Sequence, residues 1–151
     1  MEPDLPWLRK LEGQIRYTFL ERSLLRDALT HPTFGEGAGT VPRNDDGQFA
    51  FLGDALISLA LADREIDGAK GVMPMRRAEK ASNDYLETIA RKLDLPLFVG
   101  RGEAKNALGE SKRLATGVEA VLGAVYQDAG AAHAIKVAKR LLNEGPAPLD
   151  A

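Results

Sequence analysis

The sequence contains no cysteine among its 151 residues. This absence excludes disulfide bridges, thiolate zinc sites and cysteine nucleophiles. We find no secretory signal and no apolar run long enough to span a bilayer, so we expect an intracellular, cytoplasmic protein without membrane contact. Neither sign of charge dominates, because 20 basic and 22 acidic residues leave a formal net charge of -2. The composition therefore excludes a uniformly basic nucleic-acid-binding surface, although it allows a local basic patch.

The chain does have enough hydrophobic residues to form one folded core. Its hydrophobic content is 44%, which at this length fits a single domain over residues 1–151 and leaves little room for a second. The last residues, 145–151, include prolines and are predicted to form a tail. No strand-like alternation persists along the chain, so we predict an all-α fold.

Hydrophobic spacing predicts where the helices lie. Apolar residues three and four positions apart predict a helix over 5–15, and Ser23 is predicted to cap a short helix over 24–31. Residues 49–65 are apolar on nearly every side, which predicts a buried central helix. The remaining predictions are an exposed loop at 34–46, a helix from Pro74 towards Leu93, a short connector at 95–100, a polar stretch at 101–110, and helices at 111–128 and 131–144.

Two acidic residues, Asp54 and Glu119, each lie within an apolar helical stretch. A carboxylate in such surroundings costs free energy unless it is paired, hydrogen-bonded or bound to a metal. Two of them indicate a metal site, or what remains of one. The residues alone also allow a structural interpretation, in which Asp54 is a hydrogen-bonded acid and Glu119 pairs with a nearby Lys or Arg.

Four segments occur in an order that resembles the catalytic domain of the ribonuclease III family. They are LEGQIRYTF at 11–19, LLRDALTHP at 24–32, FLGDA at 51–55 and EAVLGAVYQD at 119–128. The resemblance covers nearly the whole chain. It implies an all-α homodimer whose two subunits enclose a valley for double-stranded RNA, with carboxylates that bind Mg²⁺ or Mn²⁺ and activate water for phosphodiester hydrolysis.

This chain departs from the family pattern at its acidic positions. The family motif Glu-Arg-Leu-Glu-Phe-Leu-Gly-Asp is matched by GQFAFLGD at 47–54, and Ala-Asp-x-x-Glu-Ala is matched by ATGVEA at 115–120. Positions 47, 50 and 54 share one side of a helix because they are three and four residues apart. Only Asp54 and Glu119 keep their acids; the family positions without one are Gly47, Ala50, Lys70 and Thr116. Either Asp45 or Asp46 could replace a lost carboxylate.

The resemblance also assigns two surfaces. Phe51 matches a dimer-contact position, and with Leu52 and Leu56 it is the predicted dimer interface. The residues that match the border of the RNA valley are basic and can contact phosphates: Arg76, Arg77, Lys80, Arg101, Lys105, Lys112 and Arg113. Many family members carry an appended double-stranded RNA-binding domain, which we do not expect in this chain.

Three hypotheses follow. The first is a protein that binds structured RNA, linked to ribosomal RNA processing or the ribosome, with nuclease activity lost or severely reduced. The second is an active double-stranded-RNA endonuclease that uses Asp54 and Glu119 with one metal ion, since Mg²⁺ often keeps several waters and needs few protein carboxylates. The third is a dimeric protein-interaction scaffold that binds no RNA.

Overall fold

The fold is all-α, as predicted, with one small β-hairpin. The computed structural model describes residues 5–29, 48–68, 85–93, 95–99, 103–106 and 111–148. The elements in chain order are α1 (Leu5–Ile15), α2 (Arg22–Ala28), α3 (Gln48–Gly68), α4 (85–93), β1 (Pro96–Val99), β2 (Glu103–Asn106), α5 (Ser111–Ala129) and α6 (Ala131–Glu144). No helix within these ranges is long and apolar enough to cross a membrane.

The hairpin corrects the sequence prediction for residues 95–106. We predicted a connector followed by a polar stretch, whereas β1 and β2 pair antiparallel, with Pro96 opposite Asn106 and Val99 opposite Glu103. Strands of four residues are too short to produce a lasting alternation of apolar and polar side chains, so the pattern did not identify them.

The start of α2 also differs from the prediction. The helix begins at Arg22, its N-cap is Glu21, and no side chain caps it, so Ser23 lies inside the helix. Two carboxylates fix the preceding loop instead. Glu12, which is buried, accepts hydrogen bonds from the Phe19 amide at 2.8 Å and from Arg22 Nε at 3.2 Å.

Asp128, near the end of α5, holds the same loop from the other side. It accepts hydrogen bonds from the amides of Leu20 at 2.8 Å and Glu21 at 2.9 Å, and from the Tyr17 hydroxyl. Burial and the hydrogen bond to Asp128 raise the pKa of Tyr17 well above its usual range, so the phenol stays protonated. Local capping rules did not predict the loop because its anchors come from other helices.

Helix α5 is buried on more sides than α3. In its middle, nearly every side faces the core, and α5 contributes Val118, Ala120, Val121, Leu122, Ala124 and Val125. Helix α3 buries Phe49, Leu56 and Ile57 but leaves 81% of Phe51 and 46% of Leu59 exposed. A helix that is apolar all round can be surrounded by its own chain or can keep an apolar face for a partner, and composition does not distinguish these cases.

Candidate functional site

The candidate site lies where α3 crosses α5, and glycines allow the two backbones to touch there. A Cβ atom added to Gly53 would lie 1.7 Å from the carbonyl oxygen of Glu119, and one added to Gly123 would lie 1.9 Å from that of Phe49. Such approaches are possible only without a side chain. Since Gly53 meets Glu119 while Phe49 meets Gly123, the two helices run antiparallel at the crossing.

This crossing brings Asp54 and Glu119 together. Asp54 follows Gly53 on α3, and its side chain lies close enough to that of Glu119 to affect the protonation of Glu119. Asp54 is exposed and Glu119 is half-buried, so the expectation that Asp54 sits in apolar surroundings is wrong for the isolated chain. Among the described residues, the neighbour that acts on Glu119 is an acid, Asp54, rather than a cation.

The electrostatics of the pair favour one shared proton. Burial, the hydrogen bond to Asp54 and the negative charge of Asp54 together raise the pKa of Glu119 to about 7. Two carboxyl groups can form a hydrogen bond only when one of them carries a proton, which Glu119 then donates to Asp54. A divalent cation could replace that proton, because both side chains present oxygen ligands at the same place.

The neighbouring positions supply no further acid in the described structure. Ala50, one turn before Asp54 on α3, is half-buried, and Thr116, one turn before Glu119 on α5, is exposed. No group of three or more His, Asp or Glu residues that could hold a metal ion occurs within the described ranges. The donor set within the described ranges, two carboxylates, fits one divalent cation completed by water rather than two cations.

For several predicted site residues the structure does not describe the side chain. Gly47, Lys70 and the alternative acids Asp45 and Asp46 lie outside the described residues, as do Arg76, Arg77, Lys80 and Arg101. Lys105 lies on β2, and Lys112 and Arg113 begin α5, but their side chains are not described. Their role in RNA binding stays a prediction.

The predicted interface residues have different environments. Phe51 is 81% exposed, Leu52 is half-buried, and Leu56 is 6% exposed within the core of the chain itself. An exposed apolar stripe on α3 is formed by Phe51, Ala55 and Leu59, which are four residues apart and therefore lie on the same side of the helix. Leu56 faces away from this stripe.

The sequence patterns did not reveal the role of the glycines that form the crossing. In the sequence, Gly53 and Gly123 stand out only as members of the segments that resemble the ribonuclease III family. A glycine inside an apolar helical run is nevertheless a signal of close packing. Each costs about 1 kcal/mol of helix propensity relative to alanine, and the contacts at the crossing explain why alanine does not fit.

Comparison with known proteins identifies the family. Residues 21–144 match a family described as Ribonuclease-III-like, and the chain belongs to this family. It is 37% identical to Ribonuclease 3 of Solibacter usitatus and 38% identical to that of Pseudomonas fluorescens, over 80% and 82% of this chain. The aligned regions are 49% and 54% of those relatives, so the chain spans about half the length of the curated relatives it matches.

Solved structures agree with this assignment. The nuclease domain of ribonuclease III from Campylobacter jejuni superposes with a TM-score of 0.73 at 27% identity, covering 91% of this chain and 97% of that one. A second structure of that domain gives a TM-score of 0.70 at 24% identity, covering 94% and 97%, and supports the fold alone.

The shared proton predicts a pH dependence of stability. Because the pKa of Glu119 rises from 4.5 to about 7 on folding, its favourable contribution is complete below pH 4.5 and is lost as the pH rises through 7. Over this window we expect the unfolding free energy of the native chain to fall by about 1–2 kcal/mol relative to that of Glu119→Gln, after allowance for solvent screening.

Urea denaturation of both proteins in EDTA, from pH 4.5 to 8, measures this difference. Glutamine is the matched variant because it is neutral at every pH and can still donate to Asp54. A constant difference across the range would contradict the shared proton.

Proposed function

We propose that this chain binds structured, double-stranded RNA as a homodimer in the cytoplasm, and that its nuclease activity is lost or severely reduced. The observation that carries the proposal is the α3–α5 crossing, where Asp54 and Glu119 are accompanied by Ala50 and Thr116 instead of further acids. The RNA we propose is ribosomal or a ribosomal precursor.

Charge supports the proposed loss of activity. A two-metal mechanism needs several carboxylates to hold two dications close together on either side of the scissile phosphate. Here two dications would face two carboxylates, and their mutual repulsion would remain largely uncompensated. Lys70, at a position where many family members have an acid, adds a positive charge to the chain.

A one-metal endonuclease is the second candidate function. It is favoured by the direct contact between Asp54 and Glu119, since both can ligate the same ion while waters complete its coordination. In that mechanism the pair would orient the ion, and the ion would activate water for attack on the phosphodiester. The two candidate functions differ only in whether this single ion suffices for cleavage.

Incubation with an RNA duplex of about three helical turns in Mg²⁺ or Mn²⁺ separates these functions. We expect no cleavage above that of the Asp54→Asn variant, because the two proteins would be equally inactive. Mobility-shift binding should be retained by both. Metal-dependent products that disappear in Asp54→Asn would reject the loss of activity and establish the one-metal nuclease.

RNA binding itself is expected to depend on the cations at the start of the predicted basic helix. The double variant Arg76→Ala plus Arg77→Ala should weaken duplex binding by about 10-fold at moderate salt. It should also make the negative slope of log affinity against log salt shallower by about 2, because a protein without these two cations displaces fewer counterions from the RNA. Fluorescence anisotropy with a labelled duplex over a salt series provides both quantities.

The matched control is Arg9→Ala plus Lys10→Ala, which removes the same charge from α1, where Arg9 is exposed. Equal weakening by the two double variants would mean that binding follows net charge rather than a defined surface. No binding by the native chain would leave the protein-interaction scaffold as the remaining function.

Dimerisation is proposed to use the apolar stripe Phe51–Ala55–Leu59. The nuclease domain of ribonuclease III from Campylobacter jejuni shows structural flexibility in a region involved in dimer formation, and the exposed Phe51 supports the use of this face for dimerisation here. We expect Phe51→Glu to raise the dimer dissociation constant on the order of 100-fold, because a two-fold interface loses the anchor twice and gains two buried charges.

Sedimentation equilibrium at micromolar concentration measures this change. Leu20→Glu is the control, since Leu20 is also a large apolar residue, 90% exposed, outside the stripe. A native chain that sediments as a monomer would contradict the shared-valley dimer, and equal effects of both variants would remove Phe51 from its centre.

A further inference from the structure

The backbones of α3 and α5 approach each other most closely at two points, which are one helical turn apart on each helix. Gly53 packs directly against the backbone carbonyl of Glu119, and Gly123 packs directly against that of Phe49. The pairs 49/53 and 119/123 have the same spacing of four residues, so the two contacts face each other across antiparallel helices. A single contact would leave α3 free to rotate about it, whereas two contacts fix both the rotation and the axial position.

Neighbouring residues cannot replace the glycines at these points. A slip of one residue turns a helix by about 100° and would place Leu52, Asp54, Leu122 or Ala124 against the opposing carbonyl. Each of these residues has a Cβ atom, which would force the backbones apart. The register of α3 on α5 is therefore specified by the glycines rather than by the surrounding apolar side chains, which could repack in several ways.

The same register brings two like-charged side chains together. Asp54 is next to Gly53, and Glu119 provides the carbonyl that Gly53 contacts. As anions these carboxylates repel one another, so a loosely packed pair of helices would let them separate into solvent. When both carboxylates are ionised, their proximity therefore depends on the packing of α3 against α5 at the two glycines.

We propose that Gly53 and Gly123 are positioning residues that lock α3 on α5 and hold Asp54 against Glu119 before any cation binds. This inference deepens the proposed function, because it rests on Asp54 and Glu119 being the residual cation-binding pair. The site is preformed, and a cation entering it meets two oxygen ligands already in place. Loss of the neighbouring acids leaves this geometry intact, since the backbone contacts do not involve them.

The absence of cysteine allows a direct test of this contact. With Asp54→Cys and Glu119→Cys, one disulfide is possible within the chain, and its formation with oxidised glutathione in EDTA reports how closely the two positions are held. We expect the bond to form at least about 10-fold faster than in the control pair Ser58→Cys plus Glu119→Cys, one turn further along α3, because disulfide geometry tolerates little displacement. Equal rates in the two pairs would overturn the proposal.

The role of the glycines is tested by adding Gly123→Ala to the reactive pair. The measurement uses a Gly13→Ala background, because that added methyl group meets no atom within 4 Å and offsets part of the stability loss. We expect disulfide formation to slow by about 10-fold as the helices separate. Leu8→Ala in the same background is the control: it opens a cavity in the core at α1, away from the crossing, and should leave the rate unchanged.

An unchanged rate in folded Gly123→Ala would overturn the positioning role, and so would equal slowing by Leu8→Ala. If Gly123→Ala does not fold while Leu8→Ala does, the crossing tolerates no methyl group, which supports the lock. Neither RNA nor a cation is present in these measurements. A failed RNA-binding experiment would therefore reject the proposed function without affecting this result, and the reverse also holds.

Discussion

Replacing Gly53 with alanine is expected to lower the free energy of unfolding by about 3 kcal/mol or more, because the added methyl group would overlap the Glu119 carbonyl at 1.7 Å. The opposing group is the backbone of α5, so it cannot rotate aside as a side chain could. Helix propensity acts in the other direction, but alanine gains only about 1 kcal/mol over glycine in a helix. Steric overlap therefore dominates.

Urea denaturation at neutral pH, followed by circular dichroism, measures this loss. The matched variant is Gly13→Ala on α1, which makes the same chemical change where the added Cβ meets no atom within 4 Å. That variant should be stabilised by about 0.5–1 kcal/mol. Opposite signs for the two glycines are the expected result; a loss below about 1 kcal/mol at Gly53 would mean that α3 and α5 separate easily.

Restoring acids at two vacated family positions should produce the largest change in activity. In the double variant Ala50→Glu plus Thr116→Asp, each new carboxylate lies one turn from an existing one, Ala50 from Asp54 and Thr116 from Glu119. Four carboxylates could then compensate the charge of two cations. We expect metal-dependent cleavage of duplex RNA to rise on the order of 100-fold over the native chain, through stabilisation of the attacking and leaving oxygens.

Two controls make this experiment specific. Adding Asp54→Asn to the restored variant should abolish the new activity, since that change removes a ligand from the assembled site. Gln127→Glu plus Asn143→Asp adds the same two negative charges at exposed positions and should have no effect. A restored variant that binds Mn²⁺ more tightly but does not cleave would indicate that the proposed loss of activity comes from the placement of the RNA rather than from the missing carboxylates.

Local periodicity predicted the bounds of three helices to within one residue. The predicted bounds of α1 agree with Leu5–Ile15, and α5 and α6 differ from their predictions by at most one residue. Apolar residues recur at helical spacing along these helices, so the signal that predicts them is contained in neighbouring residues. The family assignment came from four short segments in order and is confirmed by the match over residues 21–144.

Features that depend on distant contacts were not predictable in this way. The start of α2 is set by Glu12 and Asp128, and the burial of α5 depends on how the other helices surround it. The contact between Asp54 and Glu119 joins residues that are far apart in sequence. Periodicity places each acid on a helical face, but it does not determine which faces meet; the two glycines at the crossing do.

The anchoring of the α1–α2 loop by Asp128 has a consequence for folding during synthesis. The amides of Leu20 and Glu21 and the hydroxyl of Tyr17 find their common acceptor more than 100 residues later in the chain. At about 5–20 residues per second, the ribosome needs on the order of 5–20 s to deliver it. Until then the loop between α1 and α2 lacks this hydrogen-bond acceptor. Leu8 and Leu11 also cannot be fully buried, because the core that contains them includes residues of α5 and α6. The N-terminal region of the nascent chain is therefore expected to remain incompletely folded until α5 and α6 have been synthesised.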